Sequence, residues 1–221
     1  SLLQAYDEKK PIVLLSNYFK RSALVFVTKQ DILTPQDLIN KKIMASSYEL
    51  ELSSLGTLLK KFNINTTKLN LVPHEYNANK FIDGSVDVMS AYLSNELYQI
   101  KKSKVPYNIM DPVNYGIYGL GLNLFTTMKK SQQNPKMVKS FIAATNEGWE
   151  YALKNKKEMV DIIYKKYSKN KSKDALMFEA NETQKLISPD AYPIGSLDKK
   201  IIQDAVFSLQ QQNLIKRNIN V

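Results

Sequence analysis

PIVLLSNYFKRSALVFVTKQDILTPQDLINKKIMAS, residues 11–46, decides the fold. Pro11–Phe19 and Leu24–Thr28 are short, β-branched and apolar, the composition of buried strands. Thr34 and Pro35 open a short helix, because threonine caps and proline suits the first helical position. Lys42–Ser46 returns to a strand. Working outward, Ser46 and Glu49 form an S-x-x-E capping box. A single helix behind it is expected to place Leu52, Leu55, Leu59 and Phe62 on one face. Strands are expected at Leu69–Pro73, Val86–Tyr92, Tyr107–Met110 and Leu120–Thr126. Between them lie a helical turn, Asn79–Asp83, stopped by Gly84, and a helix capped by Ser94 that runs to Ser103. Asp111–Gly119 is rich in turn residues.

Beyond Thr126 the pattern is helical. Asn134 and Pro135 start a long helix with Val138, Phe141, Ile142, Thr145, Trp149 and Ala152 as its inner stripe. Further helices are expected at Lys157–Tyr167, Ser172–Ile187 and Leu197–Gln212. Strand–helix alternation with short loops implies an α/β architecture with largely parallel strands.

Composition narrows the function classes. A chain of 221 residues makes one large domain or two small lobes. Its 43% apolar and 24% charged residues are those of a globular protein. No apolar run approaches 18 residues, so no stretch reads as a membrane span, and the opening SLLQAYDEKK does not have the form of a signal peptide. Without cysteine there are no disulfides, thiolate nucleophiles or Cys-based metal sites. The net charge of +10 invites a nucleic-acid or anionic-surface reading. Only Arg21 and Arg217 are arginines, so 31 − 2 = 29 of the basic residues are lysines. The lysines are scattered and sit mostly at element ends, the pattern of a solvated surface.

The signals for catalysis are thin. His74 is the only histidine. It follows a strand, where α/β folds bind ligands, although a loop histidine without a role fits equally. No glycine-rich phosphate loop and no G-x-S-x-G occur. The signals for binding are better. Two strand ends run straight into helix starts, at Ala45-Ser46-Ser47-Tyr48-Glu49 and Tyr92-Leu93-Ser94-Asn95-Glu96. Each gathers hydroxyls, a carboxylate, an aromatic ring and free backbone N–H groups, a set that holds a small polar ring. Two ordinary helix caps beside tyrosines are the alternative. Asn17–Ser22 and Asp111–Gly119, with Tyr115 and Tyr118, add further polar-aromatic stretches.

In this order, four stretches carry a resemblance: IVLLSNYFKRSALVFVTKQDILTPQDLINKKI (12–43), FIDGSVDVMSAYLSNE (81–96), DPVNYGIYG (111–119) and NPKMVKSFIAATNEGWEYALKNKKEMVDII (134–163). Together they resemble type 2 periplasmic solute-binding proteins, in the branch of the thiamine-pyrimidine-precursor and alkanesulfonate binders. Asn40 stands where the pattern carries glycine. The resemblance implies a two-lobed α/β fold, with lobe one at 1–29 and 120–221, lobe two at 34–115, and crossover segments near 24–33 and 116–126. The family's opening strand–helix–strand segment is not matched. The resemblance further implies an extracytoplasmic, non-enzymatic binder of a small pyrimidine-like or sulfonate-like metabolite. No cofactor, metal, catalytic residue or nucleic acid is expected. A membrane-anchored kinase or cyclase output domain, or an ABC permease, is the expected partner. Tyr48, Glu49, Tyr92, Asn95, Glu96 and Tyr115 are the expected ligand contacts, with Phe19, Arg21, Ser46 and Ser47 behind them. Two carboxylates in such a site favour a neutral or amino-bearing ring over an anion. The alternatives are a charge-driven nucleic-acid or anionic-surface binder and an enzyme like the fungal pyrimidine synthases. The cysteine-rich motif of those synthases is missing here.

Overall fold

A computed structural model describes residues 1–168, 170–217 and 219. Seven strands follow in chain order: β1 (Ile12–Phe19), β2 (Leu24–Thr28), β3 (Lys42–Met44), β4 (Asn70–Val72), β5 (Val88–Tyr92), β6 (Asn108–Met110) and β7 (Gly121–Thr127). They form two sheets. β1 pairs antiparallel with β7, Phe19 facing Gly121 and Ile12 facing Thr127, with a bulge between Leu14 and Ser16. The other five strands take the order β4-β3-β5-β2-β6.

The expectation of largely parallel strands needs correcting. Only β3 runs parallel to its neighbours, β4 and β5. β2 enters antiparallel between β5 and β6, with Leu24 opposite Tyr92 and Phe26 opposite Met110. Residues 20–23 are too short for a parallel crossover, which takes a dozen residues or more, so they carry the chain directly from one sheet into the other. Leu24–Thr28, expected as a first-lobe crossover strand, is therefore inside the five-stranded sheet.

Burial explains why β2 sits there. All five of its residues are buried, so neither face meets solvent. Leu24 and Phe26 point into one core, with Ile43, Leu55, Leu58, Leu59 and Val88. Val25 and Val27 point into the other, with Met44, Phe81, Met89, Leu97 and Ile100. The period of two along a strand makes this split. On the first face pack α2 (Ser47–Leu52) and α3 (Ser54–Lys61), and on the second the helices Asn79–Ile82 and Glu96–Ser103.

The continuous helix expected over Leu52–Phe62 is broken at Ser53, which is extended and caps α3 through a bond from Leu55 N to its Oγ. Leu52 is thereby left exposed, while Leu55 and Leu59 are buried. Ser94 does not cap its helix. Asn95 occupies that position, and Glu96 bonds back to Tyr92 N.

The β1–β7 sheet meets a third core, in which Leu3 of the first helix (Leu2–Asp7) joins Ile202, Ala205 and Val206 of the helix Lys199–Gln210. The long helix Pro135–Lys154 buries only Val138 among its described residues, and Phe141 of the expected inner stripe is exposed. Trp149 packs on the buried ring of Tyr18 at 5.8 Å between centroids. Asn40 adopts φ 65, the left-handed region that glycine favours and asparagine tolerates. Asn40→Val should cost about 1–2 kcal/mol in urea denaturation. An unchanged midpoint would mean that the turn relaxes.

Candidate functional site

A cleft of about 510 Å³ lies where the two sheets meet. The second sheet contributes Leu24 at the start of β2 and Tyr92 at the end of β5, which are register partners. The carboxyl ends of β3 and β5 feed this side, the place where open α/β sheets bind ligands. Tyr48 and Glu49 open α2, and Ser53, Ser54 and Thr57 surround the first turn of α3. The opposite wall comes from Phe19, the crossover Tyr118–Asn123, Phe125, the first three residues, Ala205 and Leu209.

The floor is held by hydroxyl bonds. Ser54 Oγ lies 3.2 Å from Ser22 Oγ, and Ser22 Oγ accepts from Leu24 N at 3.2 Å. Tyr118 N donates to Ser208 Oγ at 3.0 Å and ties the crossover to the last helix. Gly56 sets the spacing of α2 and α3. A Cβ there would stand 2.3 Å from the carbonyl oxygen of Leu50.

Of the ten residues expected to touch ligand, Phe19, Tyr48, Glu49 and Tyr92 line the cleft. Tyr48 is 63% exposed and Tyr92 47%, so both rings stand open to a solute. Glu49 is buried, and its Oε2 accepts from Ser46 N at 2.9 Å, Ser46 Oγ at 2.9 Å and Ser90 Oγ at 2.8 Å. Its carboxylate is thus engaged in the capping box and in the tie to β5. Ser46 is the other half of that box, and Ser47 is exposed beside it. Glu96 is buried and accepts from Tyr92 N and Asn95 Nδ2. Arg21 pairs with Asp111, which joins the β1–β2 connection to the turn after β6. Tyr115 packs edge-on against Phe62 at 5.4 Å. None of Arg21, Ser46, Ser47, Asn95, Glu96 and Tyr115 lines the cleft. Of the two carboxylates behind the expectation of a neutral ring, Glu49 lines the cleft and Glu96 does not.

Burial raises the Tyr92 hydroxyl above the usual tyrosine range, with further contributions from Glu49, Glu96, Tyr48 and Tyr76. It therefore stays a hydrogen-bond donor at neutral pH. Among the cleft residues that sequence reasoning passed over are Ser53, Ser54 and Thr57. The helical spacing of the leucines hid the break, but the Ser53-Ser54 pair ahead of Leu55 is a capping signal in its own right.

The model of the family described as NMT1/THI5 like matches residues 1–159. The chain belongs to this family. A search of curated proteins finds no match. Among solved structures, the alkanesulfonate-binding protein SsuA from Xanthomonas axonopodis pv. citri, bound to MOPS, is similar with a TM-score of 0.64 at 13% identity. That match covers 98% of this chain and 74% of the other. The periplasmic aliphatic sulphonate-binding protein SsuA from Escherichia coli gives 0.64 at 14% identity, over 97% of this chain and 68% of its own. The desulfurization enzyme DSZB gives 0.56 at 13%, over 93% and 74%. The fold is that of the two-lobed type 2 periplasmic binding proteins. The family match and the likeness to these binding-protein structures agree with the resemblance read from the four sequence stretches.

Proposed function

We propose that the chain is an extracytoplasmic solute-binding domain that takes one small metabolite into the cleft between its sheets. The observation that carries this reading is the make-up of the cleft, with exposed tyrosines on one wall, apolar side chains on the other and a hydroxyl-lined floor. Such a lining suits a molecule with a flat or apolar body and a polar head, such as a sulfonate-like or pyrimidine-like metabolite. The sulfonate-like member of this description is supported by the sulfonate ligands named for the similar structures. The proposed lobes are 1–19 with 121–217 and 24–115, joined by 20–23 and 116–120. Closure on the solute follows from contacts that both lobes make only when closed.

Function as a receptor for an ABC permease, or as a sensor joined to a membrane-anchored kinase or cyclase, completes the proposal. No described helix is long and apolar enough to cross a membrane. A non-enzymatic role is favoured by His74, whose two ring nitrogens are engaged by Ser90 and Tyr76 and which does not line the cleft. Both arginines are engaged as well, Arg21 by Asp111 and Arg217 by the Tyr6 carbonyl, which weakens a phosphate-binding reading.

The test is calorimetry against butanesulfonate, MOPS and an aminopyrimidine. One of these classes should bind at a single site. Tyr48→Ala and Tyr92→Ala should each weaken it about tenfold or more, equivalent to about 1.4 kcal/mol. Unchanged affinity in both variants would place the solute elsewhere.

A further inference from the structure

His74 ends the segment after β4 and makes two bonds of opposite sense. Tyr76 N donates to Nδ1 at 2.7 Å, and Nε2 lies 2.8 Å from the Ser90 carbonyl oxygen. A backbone N–H only donates and a carbonyl only accepts. With these partners His74 accepts at Nδ1 and donates from Nε2. A second proton has only Nδ1 to go to, and there it would face the Tyr76 N–H, donor against donor.

The bond to Tyr76 closes a turn that this chain builds repeatedly with uncharged or acidic side chains. Thr67 N donates to Asn65 Oδ1, Asn79 N to Asn77 Oδ1, Ser85 N to Asp83 Oδ1 and Val113 N to Asp111 Oδ1. Each is a bond from residue i+2 back to a side chain at i. His74 makes the same turn with an imidazole, whose acceptor nitrogen becomes a donor when it takes up a proton. The turn holds Tyr76 at φ 56, a left-handed conformation that a bulky L-residue adopts only when its surroundings impose it.

Tyr76 is 74% exposed, and its ring stacks on His74 at 4.9 Å. Through Ser90, two residues before Tyr92, the loop is joined to the strand end that carries the cleft's tyrosine. The same Ser90 bonds Glu49. We propose that His74 is a positioning residue that latches Tyr76 on the Tyr92 side of the cleft, and that proton uptake by His74 opens the latch and lowers solute affinity. The affinity part rests on the solute-binding reading; the latch itself does not.

The charged and titratable groups around the loop are few. Glu75 pairs with Lys80 at 2.5 Å within the loop region. Tyr76 is within electrostatic reach of Tyr92 on β5, which also senses Tyr48 and Glu49 of α2 and Glu96 of the helix Glu96–Ser103. Glu49 and Glu96 are already hydrogen-bonded within the protein. None of these replaces Nδ1 as the acceptor for Tyr76 N.

The decisive comparison is wild type against His74→Asn, because asparagine can close the same turn and does not titrate. In the ligand-free protein, the Tyr76 amide should lose hydrogen-exchange protection in 1H–15N spectra as pH falls from 8 to 5, after correction for intrinsic exchange. In His74→Asn that protection should be independent of pH. The same fall in pH should weaken butanesulfonate binding by about threefold or more in wild type and leave the variant unchanged. Equal pH response of the Tyr76 amide in both proteins, or no response in wild type, overturns the latch. A responding amide with pH-independent affinity overturns the coupling. If butanesulfonate does not bind wild type at pH 8, the sulfonate arm of the solute-binding reading fails, and the latch is decided on the amide alone.

Discussion

Glu49→Ala should lower the unfolding free energy by about 3 kcal/mol, roughly 6–12 °C in Tm for a chain of this size. Three bonds end on one buried carboxylate oxygen, from Ser46 N, Ser46 Oγ and Ser90 Oγ. Loss of a helix cap alone costs about 1 kcal/mol. The rest comes from Ser90, which is fully buried and would be left without its acceptor. Glu49→Gln keeps an acceptor and the shape, so it should recover about half of the loss. Thermal unfolding followed by circular dichroism checks both. If Glu49 were a ligand contact rather than a structural cap, Glu49→Ala would abolish solute binding and leave Tm where it was. The bonds predict the reverse emphasis, a large fall in Tm with binding lost only as far as Tyr48 and Tyr92 move.

Gly56→Ala should destabilise by about 2–3 kcal/mol, against the rule that alanine improves helices. The added Cβ would lie 2.3 Å from Leu50 O and 2.7 Å from Leu50 C. Both are backbone atoms of α2 and have no rotamer to yield with. The two helices must separate, and Ser53, Ser54 and Thr57 at the cleft floor move with them. Solute affinity should therefore fall together with stability. Gly148 provides the contrast within the same molecule. It lies inside a long helix, and a Cβ there meets nothing within 4 Å. Gly148→Ala should stabilise by about 0.5–1 kcal/mol. Urea titrations of the two variants should thus shift in opposite directions. A stabilised Gly56→Ala would mean that the α2–α3 contact is looser than the geometry shows.

The fold was readable wherever local chemistry and long-range packing agree. The strand of Leu24–Thr28 follows from its apolar, β-branched composition, and the Ser46–Glu49 box sits where its motif puts it. Gly84 ends its helical turn with φ 82, as a left-handed stop requires. Strand direction was not readable. Nothing in Leu24–Thr28 says that it will lie antiparallel between β5 and β6, because that depends on the short connection from the other sheet. Leucine periodicity over 52–62 hid the break at Ser53, since Leu55 and Leu59 face the core with or without Leu52.

The candidate site was half legible for a related reason. Strand ends that run into helix starts do gather Tyr48, Glu49 and Tyr92 at the cleft. The sequence does not say which polar groups are already satisfied there. Glu49, Glu96 and Arg21 have the composition of ligand contacts and the bonding of structural ties. The hydroxyls of Ser53, Ser54 and Thr57 reach the cleft only through a helix break that long-range packing creates.

The cleft between the sheets is the proposed seat of the solute. Gly119 lines it, and a Cβ there makes only ordinary contacts, 3.7 Å from Ser22 Cβ and 4.0 Å from Ser54 Cβ. Gly119→Phe should therefore fold and fill the cleft with its ring. Native mass spectrometry of wild type and variant, as purified and after addition of butanesulfonate, MOPS or an aminopyrimidine, tests the claim directly. Wild type should carry a one-to-one adduct that is absent from Gly119→Phe at unchanged Tm. Equal occupancy in the two proteins, or no adduct on wild type under any of these conditions, would contradict it.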